Sequence, residues 1–278
     1  MNTLEFTLLV GLGSFLAGLL GALTGLGGGA VLVPLLALGF GVNIRYAMGA
    51  SLVSVIATSS GAAAAYVREG YSNIRIGMFL EIATTIGALV GAYLATRIST
   101  PAIGTVFGLM LLYSAFVSGR NQPEHPVVRR PDPMAARLRM PGTYPTDEGP
   151  RSYNVASLAS GFSLMFGAGT LSGLLGIGSG AVKVLALDQA MKLPFKVSTT
   201  TSNFMIGVTA AASAGIYLHR GFIAPGLAMP VMLGVLAGSL LGAKILLRAR
   251  TQWLRRIFAL VIIALGIQMI YKAFTGRL

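Results

Sequence analysis

The sequence predicts an all-α integral membrane protein built from two five-segment repeats, each with a short helix after a glycine-rich break. Three observations predict it. The first is composition: of 278 residues, 54% are hydrophobic and only 10% charged, with mean hydropathy +0.76. A soluble chain of this length needs far more charge to cover its surface. The second is a duplication at a constant shift of 151 residues. Phe15, Ala17, Gly18, Leu20, Leu23, Gly25, Gly27, Gly29, Ala30 and Val31 return as Phe166, Ala168, Gly169, Leu171, Leu174, Gly176, Gly178, Gly180, Ala181 and Val182. The register then holds without gaps through Ser51/Ser202, Thr58/Thr209, Tyr66/Tyr217, Gly70/Gly221, Gly87/Gly238, Gly91/Gly242 and Arg97/Arg248. The third is that each copy breaks its apolar run at the same glycines. Duplicated units with matching broken helices are a common plan of secondary transporters.

Five apolar segments are expected in each half. They run 4–24, 29–40, 46–67, 76–96 and 102–118 in the first, and 153–175, 180–191, 197–218, 226–247 and 256–272 in the second. Most approach the ~20 residues that span a bilayer. The second segment of each half is short: about twelve residues at ~1.5 Å rise reach little more than half the hydrocarbon core. The first begins directly at Met1-Asn-Thr-Leu-Glu5, with no basic leader region, and is read as a helix rather than a signal peptide. The units are therefore a first repeat over 1–118, a linker over 119–152 and a second repeat over 153–278. The linker holds Pro123, Pro126, Pro131, Pro133, Pro141, Pro145 and Pro150. Proline at this density stops helices, so a flexible aqueous loop without its own apolar core is expected.

Charge orients the chain. The net charge of +13 reads as the positive-inside bias of a membrane protein rather than as a nucleic-acid surface. With the linker in the cytoplasm and Lys183 and Lys244 set aside as intrasegment lysines, 14 basic residues fall inside and 5 outside (Arg45, Arg97, Arg220, Lys272 and Arg277). If all five segments cross, the odd number inverts the second repeat. If the short segments re-enter, the repeats are parallel. The charge count favours inversion. Multi-pass insertion in the cytoplasmic membrane follows; a homo-oligomer is compatible with it.

The candidate site residues come from the breaks and the polar groups beside them. Gly25, Gly27, Gly28 and Gly29, with Gly176, Gly178, Ser179 and Gly180, end one helix and open the next. Glycine allows the reversal and lets a ligand approach the backbone, and the following helix presents free N–H groups. The competing reading is close helix packing. Lys183 follows Gly180 by three residues, where the first repeat has Leu32. It is either the cation of an anion site or a snorkelling lysine. Asp188 is its candidate counter-ion, or pairs with Lys192. Glu81 is either an intramembrane acid that titrates during transport or an interfacial acid one turn below the headgroups. In the run Ser198-Thr-Thr-Thr-Ser-Asn203, Ser202 and Asn203 are candidate pocket donors, with Ser51 and Thr209, while Ser198 or Thr199 could cap the helix. Tyr66 and Tyr217 read as interface anchors and His219 as a solvated loop residue.

Several classes are excluded or disfavoured. Absence of cysteine removes disulfides, thiolate metal sites and cysteine nucleophiles, and two histidines leave little for a metal. No nucleotide-binding P-loop is present, so no cofactor is expected and an ion gradient, with the proton as candidate coupling ion, would drive transport. Ionisable groups are too scattered to suggest an enzyme.

The chain resembles the sulfite exporter TauE/SafE family of membrane transporters. The resemblance rests on Gly25-Leu-Gly-Gly-Gly-Ala-Val-Leu-Val-Pro34, on Gly176-Ile-Gly-Ser-Gly-Ala-Val-Lys-Val184, and on Pro194-Phe-Lys-Val-Ser-Thr-Thr-Thr-Ser-Asn-Phe-Met-Ile-Gly-Val-Thr-Ala210. Leu185 stands where the second copy often has the proline seen at Pro34. The resemblance implies transport of small anions such as sulfite, sulfonates or sulfoacetate-like compounds; the paired repeats, one bundle moving against the other, would give alternating access. A passive anion channel is the alternative.

Overall fold

The computed structural model describes residues 2–24, 28–68, 70–119, 132–146, 149–246 and 251–276. Gly25 and Gly27 lie outside them. The first half contains α1 (Thr3–Thr24), α2 (Gly29–Pro34), α3 (Ile44–Arg68), α4 (Ile74–Arg97) and α5 (Thr100–Gly119). Between the halves are α6 (Pro133–Arg137) and a hairpin of β1 (Gly142–Thr146) and β2 (Gly149–Tyr153). The second half contains α7 (Leu158–Leu175), α8 (Gly180–Leu185), α9 (Phe195–His219), α10 (Pro225–Leu246) and α11 (Thr251–Phe274).

The 151-residue shift carries element onto element. It maps Ile44 and Arg68, the ends of α3, onto Phe195 and His219, the ends of α9. The short helices correspond as closely: α2 continues as a π-helical turn over Leu35–Gly39, and α8 over Ala186–Ala190. Pro34 in one and Leu185 in the other give the same geometry, so proline is not what shapes it. Two further turns match. Gly41 and Lys192 both have positive φ, 65° and 57°, and so do Gly70 and Gly221, at 76° and 73°.

Helix pairing follows the same exchange. Helix α1 packs on α10 and α4 on α7; α3 packs on α9 and α5 on α11, and α4 touches α9 as α10 touches α3. Two of these seams are made by glycine. A Cβ on Gly87 or Gly91 of α4 would run into the α7 backbone at Phe166–Thr170 and Thr170–Leu174, and one on Gly169 or Gly173 of α7 would run into α4 at Thr84 and Ala88–Ala92. Gly18, Gly234 and Gly238 do the same between α1 and α10. Where lipid removes the hydrophobic drive for helix association, such close backbone approach supplies the contact energy.

Among the described residues four helices are long and apolar enough to cross a membrane: α1, α4, α7 and α10, the partners of those two seams. They turn leucine and isoleucine outward, as at Leu4, Leu8, Leu12 and Leu16 of α1 and Met78, Ile82 and Ile86 of α4, all well exposed. Such a face suits lipid. Helices α3 and α9 differ, in line with the polar run that the sequence marks at the start of α9. Each has 25 residues, but Ser51, Ser54, Ser198, Thr201, Ser202, Thr209 and Ser213 are buried inside the bundle. Ser54, Thr209 and Ser213 return their hydroxyls to carbonyls of their own helix, Ser198 and Ser202 donate to the Leu193 and Gly180 carbonyls, Thr201 accepts from the Asn73 N–H, and Ser51 Oγ is buried without a partner among the described residues.

The second half of the linker is folded, unlike the expected flexible loop. Ala135, Met140, Tyr144, Tyr153 and Val155 are buried together with Ile76, Leu80, Leu158, Leu187, Met191 and Val197. The segment indeed has no core of its own; it borrows one from the ends of α4, α7, α8 and α9. Asp132 fixes it to α7. Its Oδ2 accepts from the Leu158 N–H at 3.1 Å and its Oδ1 from Met134 N–H at 2.9 Å, so one carboxylate caps α6 and the distant start of α7. These N–H groups, Leu158 first, hold the Asp132 carboxyl below the usual carboxylate range.

Candidate functional site

The glycine break of the second half is built as a sharp left-handed turn. Gly176 and Gly178 have φ of 66° and 73°, and Ser179 joins them at 41°. Ser179 Oγ donates to the Ala168 carbonyl at 2.6 Å, which holds this non-glycine residue in its strained conformation. The turn is tightly packed. A Cβ on Gly176 would lie 2.7 Å from Met48 Cβ, and one on Gly178 would lie 2.8 Å from Ile206 Cγ2. Gly176 thus serves close packing on α3 of the first half, and Gly178 close packing on α9 of its own half. In the first half, Gly29 sits against Ser51: a Cβ there would lie 2.7 Å from Ser51 Oγ. Gly28 faces Val235. Ser202, the counterpart of Ser51, donates to the Gly180 carbonyl at 3.3 Å. Each long helix thus places a serine on the first residue of its short helix.

The polar chemistry lies one turn further along. Lys183 of α8 is fully buried, which removes the snorkelling alternative. Its Nζ donates to Thr209 Oγ1 of α9 at 2.5 Å, and Thr209 Oγ1 lies 2.6 Å from Glu81 Oε1 of α4. Thr85 Oγ1 donates to the same carboxylate oxygen at 3.3 Å. Glu81 is 8% exposed, and its other oxygen, Oε2, is buried without a hydrogen-bond partner among the described residues. Lys183 and Glu81 are each other's charged neighbours, with the Thr209 hydroxyl between them. Three elements from both halves therefore converge on one buried cation, one hydroxyl and one acid. Such a buried pair tolerates partner exchange but not the loss of one partner.

The other candidates distribute around this centre. Asp188 is buried in the turn after α8 and accepts from Gln189 Nε2 at 2.8 Å; Lys183 instead meets Thr209 and Glu81. Asn203 is half-buried next to Ser202. The expected cap of α9 is corrected: Pro194 holds the N-cap position, while Ser198 and Thr199 lie inside the helix and donate back to Leu193 and Phe195 carbonyls. Thr200 and Thr201 of the same run stitch α9 to the α3–α4 turn, through Tyr71 O and Asn73 N–H at 3.0 Å each. Tyr217 is also corrected. It is buried rather than interfacial, because its hydroxyl donates to the Gly173 carbonyl at 3.1 Å inside the bundle. Tyr66 lies among residues whose side chains are not described, and His219 is exposed.

Two polar groups were not singled out by the sequence, Thr85 at the centre and Ser172 on α7. Thr85 follows Glu81 by one helical turn, a spacing that could have suggested it. Ser172 on α7 is buried with an unpartnered hydroxyl, and its repeat mate is Gly21, so the polarity was added in one half only. Among the described residues no group of three His, Asp or Glu could hold a metal.

Comparison with known proteins fits this arrangement. The profile of the family described as sulfite exporter TauE/SafE matches residues 10–269. The chain belongs to this family. Probable membrane transporter protein YunE of Bacillus subtilis is 28% identical over 97% of the chain and 98% of its own length. Probable membrane transporter protein YdhB of the same organism is 26% identical over 83% of the chain and 86% of its length. A probable membrane transporter protein of Xylella fastidiosa is 27% identical over 96% and 94%. No solved structure matches the chain. The predominantly helical architecture, with four candidate spans among the described residues, is consistent with an all-α membrane protein of this family.

Proposed function

We propose that this TauE/SafE chain is a secondary carrier that moves small sulfur-containing anions, sulfite or a sulfonate, across the cytoplasmic membrane by alternating access. The observation that carries the reading is the fully buried Lys183, bonded to Thr209 and placed at the meeting of α8, α9 and α4. A cation is costly in a membrane interior and persists where it faces a partner or a solute. The family description supports sulfite-like substrates, and the relatives' names support transport. Ser51, Ser202 and Asn203 are the further candidate donors, while Gly28, Gly29, Gly176, Gly178, Ser179 and Gly180 shape the backbone around them. The exchange of helix partners between halves supports two equivalent repeats, one of which would move against the other in alternating access.

The test is thermal stabilisation of the purified chain by sulfite, thiosulfate, taurine and sulfoacetate, followed by counterflow of the stabilising anion in reconstituted vesicles. Stabilisation and saturable counterflow are expected. Stabilisation by none of the four removes the substrate class. Flux without counterflow replaces the carrier by a channel.

A further inference from the structure

The Glu81 carboxylate is better suited to leaving its place than to holding it. Oε1 is bonded to Thr209 and Thr85, but Oε2 is buried and accepts nothing among the described residues. A charged oxygen left dry in this way is expensive. Thr209 has one proton and two lone pairs. It accepts from Lys183, and its proton goes to Glu81 Oε1 at 2.6 Å or to the Met205 carbonyl at 2.9 Å. The two groups that would bind a solute anion, Lys183 and Thr209, are thus already occupied by an anion belonging to the protein.

We propose that Glu81 stands in for the transported anion, and takes up one proton each time a solute anion replaces it beside Lys183 and Thr209. The inference rests on the anion-carrier reading above and adds the coupling ion. The step is a protonation and a ligand exchange: the carboxylate gains H⁺ from water and becomes a neutral acid, no covalent bond to the solute forms, and Lys183 keeps its charge. Buried charge dictates the stoichiometry. Lys183 with ionised Glu81 is neutral, and Lys183 with a monoanion is neutral only if Glu81 is protonated. Adding the anion without the proton would leave a net charge out of water.

Few other groups compete for the role. Helix α7, packed on α4, carries no ionisable residue. Helix α9 offers Lys196, Tyr217 and His219, all near its ends, and α4 itself offers Arg75, Tyr93 and Arg97. Asp188 lies in the turn beyond α8. Among these, Lys183 is the charge that acts on Glu81.

The experiment is calorimetric titration of the purified chain with methanesulfonate and with isethionate, both monoanions, from about pH 6 to 9, in buffers of different ionisation enthalpy. Both anions are fully ionised there, so a proton taken up belongs to the protein. The wild type is expected to take up about one proton per anion bound, with affinity falling up to ~10-fold per pH unit. Glu81→Gln is expected to take up none, while Glu81→Asp retains uptake. If Glu81→Gln proves unstable, the infrared difference spectrum of the wild type on anion binding should gain a protonated-carboxyl C=O band. Anion binding without proton uptake, uptake that survives in Glu81→Gln, or absence of the infrared band overturns the inference and leaves the carrier reading standing. Binding of no sulfur anion overturns both.

Discussion

The two glycine breaks share a plan and differ in what fills it. The shift that maps α8, α9 and α4 onto their counterparts replaces Lys183, Thr209 and Glu81 by Leu32, Thr58 and Met232. Leu32 is fully buried in an apolar core, Thr58 donates to carbonyls of its own helix, and Met232 is half-buried. Both breaks have the same helix ends, the same π-helical turn and the same serine against the first residue of the short helix. The backbone therefore folds without the charges. This contrast is what supports the proposal that the pair, set in the costliest place to put one, is kept for binding.

The comparison breaks most sharply if the second break is rewritten as the first. The double variant Lys183→Leu with Glu81→Met copies residues that already fit at the matching positions. Replacing a buried ion pair by apolar groups of similar volume is often stabilising by about 1–4 kcal/mol. The double variant should therefore melt no lower than wild type, yet lose anion uptake in vesicles by at least ~100-fold, the loss of one charged anchor being worth about 3 kcal/mol or more. Uptake near wild type would show that the pair is architectural. The converse change, Leu32→Lys, buries a cation without a carboxylate and should cost about 3–5 kcal/mol, read as a fall in thermal midpoint or in folded yield. A Leu32→Lys chain as stable as wild type would mean that the first break already contains an acceptor.

What the sequence made legible follows from the duplication. Glycine spacing located both breaks, and the mismatch of Lys183 with Leu32 marked the cation before any geometry was known. The triad was not legible, because Glu81 lies 128 residues from Thr209 and no periodicity links α4 to α9. Only the packing of first-half helices on second-half helices brings them together. The role of Gly176 and Gly178 was half legible: their positive φ follows from the turn, but the contact of Gly176 with Met48 depends on the other repeat and that of Gly178 with Ile206 on a helix 28 residues further along the chain. The folded cap was hidden by its prolines. Tyr144 and Tyr153 have no local apolar partners in sequence, and their burial against Ile76 and Leu80 is supplied by the membrane helices. Tyr217 looked interfacial for the same reason, since its acceptor, the Gly173 carbonyl, is on another helix.

If the halves differ in chemistry but not in packing, matched glycines should respond alike. Gly87→Ala would drive a methyl into Thr170 N, 3.0 Å from its Cβ position, and Gly238→Ala would drive one into Leu19 N, at 2.9 Å. Both atoms are backbone, so the helices must separate. Each change should cost about 1–3 kcal/mol and lower the thermal midpoint by a similar amount. A large change at one position and none at the other would mean that only one seam carries the fold.

The weakest expected effect tests a feature with no counterpart at the start of α1 among the described residues, the Asp132 cap on α7. Backbone N–H groups of Leu158, Met134 and Ala135 favour the ionised carboxyl in the folded chain, against an ordinary value of 3.8. A carboxyl depressed in this way stabilises fully above its unfolded value, and that contribution is lost as pH falls through the lower folded value. Acidification from about pH 5 towards 3 should therefore loosen the cap, exposing 132–153 to an acid-stable protease before the helices melt. Asp132→Ala should bring the same cleavage at neutral pH and remove its acid dependence, with anion counterflow unchanged. Cleavage that remains acid-dependent in Asp132→Ala would assign the loosening to another group, and loss of counterflow would join the cap to the transport cycle.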